Sequence, residues 1–187
     1  PSSLYSTFAE GDKVQVTGYF NTLNTKYNLL QVIATEVKVL EKGEGNEGVS
    51  INWSGLSDWT VSEDKNTISF TSGTYTITAV KNSGSSAPTI NTNANDCRVY
   101  AKGSVTITTT GEAMTQIVFN LSSQGLKRLA PVAADAGNVA TQQSGDKTVT
   151  WTGSAKTVTF TVGDKADFGS DGSKKAGQLD FSSITIK

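Results

Sequence analysis

The chain has 187 residues, with 16 Lys and Arg against 17 Asp and Glu, no histidine and one cysteine, Cys97. A net charge of −1 argues against a polybasic surface for nucleic acid or membranes. The missing histidine excludes Ser-His-Asp and Cys-His nucleophile pairs and imidazole-ligated metals, and the lone cysteine excludes an intrachain disulfide and a thiolate zinc cage.

From the N-terminus, DKVQVTGYF alternates Val14, Val16 and Gly18 with Lys13, Gln15 and Thr17, the period of a half-buried strand. Tyr27 to Ile33 and Glu36 to Leu40 are two further apolar runs of strand length. EKGEGNEG (Glu41 to Gly48) then breaks the pattern with glycines and glutamates and marks a linker or exposed loop. The boundary drawn there separates residues 1–45 from a second domain, 46–187. In TISFTSGTYTITAV, Ile68 and Phe70 share a face, Ser72-Gly73 offers a turn, and Tyr75, Ile77 and Ala79 continue inward. GSVTITTTG turns Val105 and Ile107 inward, and TQIVFNL sets Ile117, Phe119 and Leu121 on one face. Leu121 to Ala140 is rich in Ala and Leu, but Gly125, Pro131 and Gly137 leave room for one or two helical turns at most. KTVTWTGSAKTVTFTV reads as a hairpin, with Val149 and Trp151, a turn at Gly153-Ser154, then Val158, Phe160 and Val162. LDFSSITIK closes the chain with Ile184 and Ile186 buried. Short, evenly spaced strands with one apolar and one polar face predict an all-β fold, an antiparallel, jelly-roll-like β-sandwich.

Thr, Ser, Gly and Asn make up about two-fifths of the chain, a bias outside average usage. That mix suits strands with a hydroxylated solvent face, and by association suits secreted bacterial β-proteins. No stretch approaches the length of a transmembrane helix, and no signal-peptide pattern opens the chain. Beginning at Pro1 without Met, it reads as a processed or trimmed form, exported to the extracellular space or the outer-membrane surface.

From Ile68 onward the order of segments carries a resemblance. These are Tyr75 to Val80, Ser83 to Pro88, Arg98 to Ile107, Met114 to Phe119, Trp151 to Thr161 and Ile184 to Lys187. Together they resemble a β-sandwich module that recurs in secreted and surface proteins of Bacteroidetes-type gut anaerobes. The resemblance implies a non-catalytic appendage with no catalytic set to carry over. Gly11-Asp12, Val14, Val16, Gly18 and a Tyr27 to Val39 hairpin resemble the later strands of an OB-type barrel. Such a barrel has five strands, and about three are present, so residues 1–45 are expected to be a partial OB-like or sheet-extending segment.

Candidate ligand residues fall in two places. Trp53 and Trp59 flank SGLSD outside a clean strand pattern, where exposed rings would stack on sugars and, alternatively, the residues would pack at the domain junction, while Trp151 alternates with Val149 and reads as core. The polar stretch Lys81 to Tyr100 carries Asn82, Asn91, Asn93, Asn95, Asp96, Arg98 and Tyr100, the donors and acceptors that sugar hydroxyls need. Its bland alternative is a solvated connection with Asn chosen for turn geometry and Arg98 paired locally with Asp96. Asp164, Asp167 and Asp171 sit in one Gly-rich loop as weak calcium candidates, their spacing unlike a calcium loop and with lysines nearby. Glu63-Asp64 and Glu41, Glu44 and Glu47 lie in polar surroundings with nothing to raise a carboxyl pKa for catalysis. Arg98 beside Cys97 would lower its thiol pKa, but a buried small residue is the simpler reading. Lys127-Arg128 reads as a solvated basic pair. The function expected is that of a non-catalytic surface module, glycan-binding or adhesive. The alternatives are a structural spacer or protein-interaction domain, and an accessory domain of a secreted hydrolase. No cofactor is expected; the partners would be an extracellular glycan or another surface protein.

Overall fold

The structure, a computed structural model, describes residues 13–24, 29–41, 48–53, 55–143, 145–164 and 177–187. The chain divides into two compact units, Pro1–Gly48 and Val49–Lys187.

In the first unit, β1 (Lys13–Asn24) and β2 (Leu29–Glu41) pair antiparallel as a two-stranded sheet of their own. The two apolar runs expected after Tyr27 are one continuous strand, so the Tyr27 to Val39 hairpin is corrected: the reversal lies before Leu29. Described residues form no closed barrel, and β1 and β2 do not extend a larger sheet. The ladder shifts register between Thr17 and Gly18. A Cβ on Gly18 would overlap the backbone of Ile33 and Ala34, which is why glycine stands in this irregularity. Thr35 Oγ1 donates to the Thr17 carbonyl across it at 3.1 Å.

The second unit is an antiparallel sandwich. One layer contains β3 (Val49–Asn52), β7 (Thr89–Asn91), β8 (Asp96–Tyr100), β10 (Met114–Leu121), β12 (Asn138–Val139), β13 (Thr148–Ala155) and β15 (Gln178–Ile186). Its order is β12-β13-β10-β15-β8-β7, with β3 also paired to β15. The other layer runs β11 (Val132–Ala134), β14 (Thr157–Val162), β9 (Ser104–Thr109), β6 (Tyr75–Val80), β5 (Thr67–Ser72) and β4 (Thr60–Val61). Helix is limited to α1 (Gly125–Arg128) and a 3-10 turn at Leu56–Asp58 among the described residues. None of the helices described is long and apolar enough to cross a membrane.

Alternation explains the layers. Ile77, Val105, Ile107, Val158 and Phe160 turn in from one sheet; Ile117, Phe119, Val149, Trp151 and Ile184 turn in from the other, all of them buried. Phe119 meets Phe160 across the layers edge-to-face at 4.9 Å. The solvent face of the second layer is lined by hydroxyls in cross-strand rows: Ser69 with Thr78, Thr71 with Thr76, Thr106 with Thr159, Thr157 with Thr108. β5 and β6 join through a two-residue loop, Gly73-Thr74, where Gly73 takes a φ of 56° suited to the first position of a type II′ turn.

The Trp151 segment departs from the sequence expectation. β13 and β14 follow one another but belong to different layers: β13 pairs with β10 and β12, β14 with β9 and β11. Gly153-Ser154 lies inside β13, and the chain crosses between layers at Lys156. Apolar alternation on both sides of a break marks two inward faces; it does not say whether they share a sheet. Trp151 is fully buried and its Nε1 donates to the Ala136 carbonyl at 2.6 Å. Gly137, at φ 69°, lies so close to that indole that a Cβ would clash with Nε1.

β15 is built around an irregularity. Asn120 pairs with Ser183 and Leu121 with Phe181, so Ser182 is the extra residue of a bulge. The bulge changes the parity of the strand. Leu179 and Phe181 face the core before it, and Ile184 and Ile186 face the core after it. Its free side is shared by β8, paired at Gln178–Phe181, and β3, paired at Ser183–Ile186. The first and last strands of the sandwich are therefore neighbours, with Val49 opposite Ile186.

Truncating Phe160 to Ala is expected to destabilise the sandwich by about 3–5 kcal/mol, because it removes a fully buried ring that bridges the layers. Thr157→Ala, on the solvent face, is expected to cost less than about 1 kcal/mol. Urea denaturation of both variants checks the pair, and equal effects would contradict the assignment of faces.

Candidate functional site

The residues expected to bind a ligand separate into two groups in the structure. The tryptophans leave the surface. Trp53 is 3 % exposed and Trp59 5 %. Trp53 follows β3 and wedges between the layers, meeting Phe181 at 5.3 Å and Trp59 at 5.5 Å, both edge-to-face; Phe70 lies 6.3 Å away. Trp59 tilts against Phe70 at 5.4 Å. A surface sugar-stacking role is incompatible with this burial. Flanking Gly and Ser obscure the strand pattern there, and the rings are drawn in because they close the end of the core. Both indole Nε1 atoms are buried without a partner among the described residues, a desolvation cost of about 1–3 kcal/mol each.

The asparagines of the loop serve the backbone. Asn82 and Asn95 both take φ 49°, the left-handed region that Asn tolerates better than most residues. Asn82 Nδ2 also donates to Ser104 Oγ at 2.9 Å. Asn91 Oδ1 accepts from the amides of Asn93 and Ala94 at 3.0 and 3.1 Å, building the β7–β8 turn. The turn-geometry alternative accounts for the conformations of Asn82 and Asn95 and for the Asn91 contacts.

Asp96, Arg98 and Tyr100 do come together with other residues. Cys97 and Val99 of β8 point into the core, so the alternate residues share the outer face. Arg98 lies opposite Asp180, and Tyr100 opposite Gln178, on β15. Arg98 Nε donates to Asp96 Oδ1 at 2.9 Å and Nη2 to Oδ2 at 3.4 Å, and this bond with Asp96 raises the guanidinium pKa. Tyr100 Oη lies 3.4 Å from Thr89 Oγ1. Gln178, with its amide oriented to suit its neighbours, donates to Asp180 Oδ2 at 2.9 Å and accepts from Arg128 Nη1 at 3.2 Å. The structure thus turns Arg128 inward, correcting its reading as half of a solvated pair; Lys127 is the exposed member.

Two carboxyl groups in this cluster, Asp96 and Asp180, are fully buried. Asp180 Oδ1 has no hydrogen-bond partner among the described residues. Burial, followed by the nearby Asp96 charge, pushes the Asp180 carboxyl up to about 7, against the opposing pull of Arg98 and Arg128. The arrangement can store charge and exchange a proton near neutrality. Asp180 and Gln178 went unnoticed in the sequence, and Arg128 was read only as half of a solvated pair. The available signal was a single acid between Leu179 and Phe181, and the bulge at Ser182 hid the phase that makes those two residues core.

Of the other acidic candidates, Glu44 and Glu47 fall outside the described residues, and Asp64 has the opposite setting. Asp64 accepts Ser62 Oγ at 2.6 Å and the Asn66 amide at 3.0 Å, and these bonds hold its carboxyl down at about 2, the opposite of what a general acid needs. Asp164 lies 3.5 Å from Lys102 Nζ on the surface, while Asp167 and Asp171 fall outside the described residues. Among those described, no group of three or more acidic, cysteine or histidine side chains is placed to hold a metal. The Cys97 thiol is buried, and burial first, then the Asp180 and Asp96 charges, raises its pKa well above the usual range, the opposite of the lowering expected from Arg98. No protein-family model, curated protein or solved structure matches the chain.

Replacing Asp96 with Ala would strip Arg98 of its bidentate partner. Arg98 keeps 22 % side-chain exposure, so the expected loss of stability is about 2–3 kcal/mol, below the range for a fully enclosed pair. Cys97 should resist a thiol reagent in the native protein and react fully in denaturant; denaturant titration and thiol counting check the two statements.

Proposed function

We propose that the chain is a non-catalytic module of an exported surface protein, and that its sandwich is displayed to the side of the chain path as a protein-interaction unit. The observation that carries this reading is the pairing of β3 with β15. Val49 lies opposite Ile186, so the chain enters and leaves the sandwich at one place. Opposed residues of an antiparallel pair are only about 4.5–5.5 Å apart, so Val49 and Ile186 sit side by side at one edge of the sandwich. The hydroxyl-rich, low-charge surface and the segment order that resembles surface modules of gut anaerobes support export.

Several residues of the glycan reading are engaged elsewhere in this geometry. Trp53 and Trp59 are spent in the core, Asn91 and Asn95 on the turn, and Arg98 on Asp96. A hydrolase role would need carboxyls within reach of a substrate, and the buried pair Asp96 and Asp180 is fully enclosed.

Force spectroscopy on the full chain, tethered just before Val49 and after Lys187, tests the lateral arrangement. The expected result is opening at low force, because the load peels the β3–β15 ladder one bond pair at a time. A high-force, shear-type rupture would contradict it. In parallel, a glycan array should show no retention. Retention abolished by Asn93→Ala or Asn95→Ala would restore the glycan-binding alternative.

A further inference from the structure

The end of β10 leaves part of β15 without a strand neighbour, and the segment Ser122–Arg128 fills that position. The Ser122 amide donates to the Asp180 carbonyl at 3.0 Å, and further on the Ala130 amide donates to the Gln178 carbonyl at 3.2 Å. Between these bonds the chain makes the single turn α1. Gly125 lies so tightly on the Asp180 backbone that a Cβ would overlap its carbonyl oxygen. Arg128 reaches Asp180 only through the Gln178 amide. Leu129 and Ala130 are buried and anchor the far end.

Little holds the segment closed apart from these contacts. Inside it, the Leu126 amide bonds to the Ser122 carbonyl at 3.1 Å, Lys127 to Gln124 at 3.0 Å, and the Gly125 amide to Ser122 Oγ at 3.2 Å. An isolated helical turn of this length does not persist by itself. The segment packs on the backbone of Asp180, whose carboxyl group has no exposure to solvent and one oxygen unpartnered among the described residues.

We propose that Ser122–Arg128 is a proton-operated clasp on the edge of β15, closed while Asp180 is protonated and loosened when Asp180 ionises. A charge on the enclosed carboxyl faces Asp96, Arg98 and Tyr100 on β8, Arg128 on α1 and Gln178 on its own strand, with Cys97 on the opposite side of β8. Arg98 is already committed to Asp96, so the new charge lacks a direct counter-ion and is relieved by water. Water enters where the covering chain is weakest, at the α1 turn, with Leu129 and Ala130 as the hinge.

The sign follows from linkage. In the closed state Asp180 titrates near 7, against an ordinary value of 3.8. Closure therefore takes up a proton, is most favoured below about pH 4, weakens as pH rises to about 7, and levels off above that. The limiting slope is about tenfold in the closed-to-open ratio per pH unit.

Hydrogen exchange by NMR on the full chain, corrected for intrinsic rates, tests the clasp. Protection of the Ser122, Leu126 and Lys127 amides is expected to fall at least tenfold between pH 5 and pH 8, and to stay below that of Ile107, which exchanges through global opening, at every pH. In Asp180→Asn the three amides should hold the pH 5 level throughout. A flat profile in the native protein, or the same decline in D180N, would overturn the proposal. Direct carboxyl-carbon titration of Asp180 stands whether or not D180N folds: a midpoint near 7 supports the clasp, and one in the ordinary carboxylate range rejects it.

Discussion

Strand β15 touches more of the sandwich than any other described strand. It bonds to β10 on one side, and to β8 and β3 end to end on the other. The bulge at Ser182 makes this possible. Without the extra residue, a strand that buries Leu179 and Phe181 would turn Ile184 and Ile186 to solvent, because side chains alternate strictly. One inserted residue keeps all four in the core. It also leaves Asp180 on the outer face among Arg98, Gln178 and Arg128. Core and polar cluster are thus two consequences of one register.

The same constraint shapes how the module meets its surroundings. β15 brings β3 beside it, so the path of the chain into and out of the sandwich is fixed by a backbone ladder rather than by a loop. The outer face of the other layer is covered by threonine and serine rows that bond to one another. Edges are managed locally. Gln142 gives both its amide groups to the Val132 backbone at 2.9 Å, occupying the edge of β11 where another strand would otherwise add.

Much of the architecture was legible in the sequence because burial follows a period of two. Ile77, Val105, Ile107, Phe119, Trp151 and Phe160 were all assigned inward from alternation alone, and all are buried. Partnership was not legible. The Trp151 segment reads as a hairpin because alternation fixes a face and says nothing of which sheet a strand joins. The candidate site was visible at Asp96, Arg98 and Tyr100 only, since those share one strand and one polar stretch. Their partners lie about eighty residues on, behind a bulge that breaks the periodicity by which they would be found. For Trp53 and Trp59 the choice between sugar stacking and packing stayed open for a similar reason: these buried rings come from irregular chain, where no periodic signal announces burial.

Cross-strand nuclear Overhauser contacts in an isotope-labelled chain test the register of β15 most directly. The account predicts contacts of Leu179 with Val99 and of Ile184 with Ile51, on the same side of the strand, and of Ile186 with Ile117 on the other. Contacts between β15 and β8 that continue past Ser182 without a change of phase, or an Ile184 with no β3 partner, would contradict it.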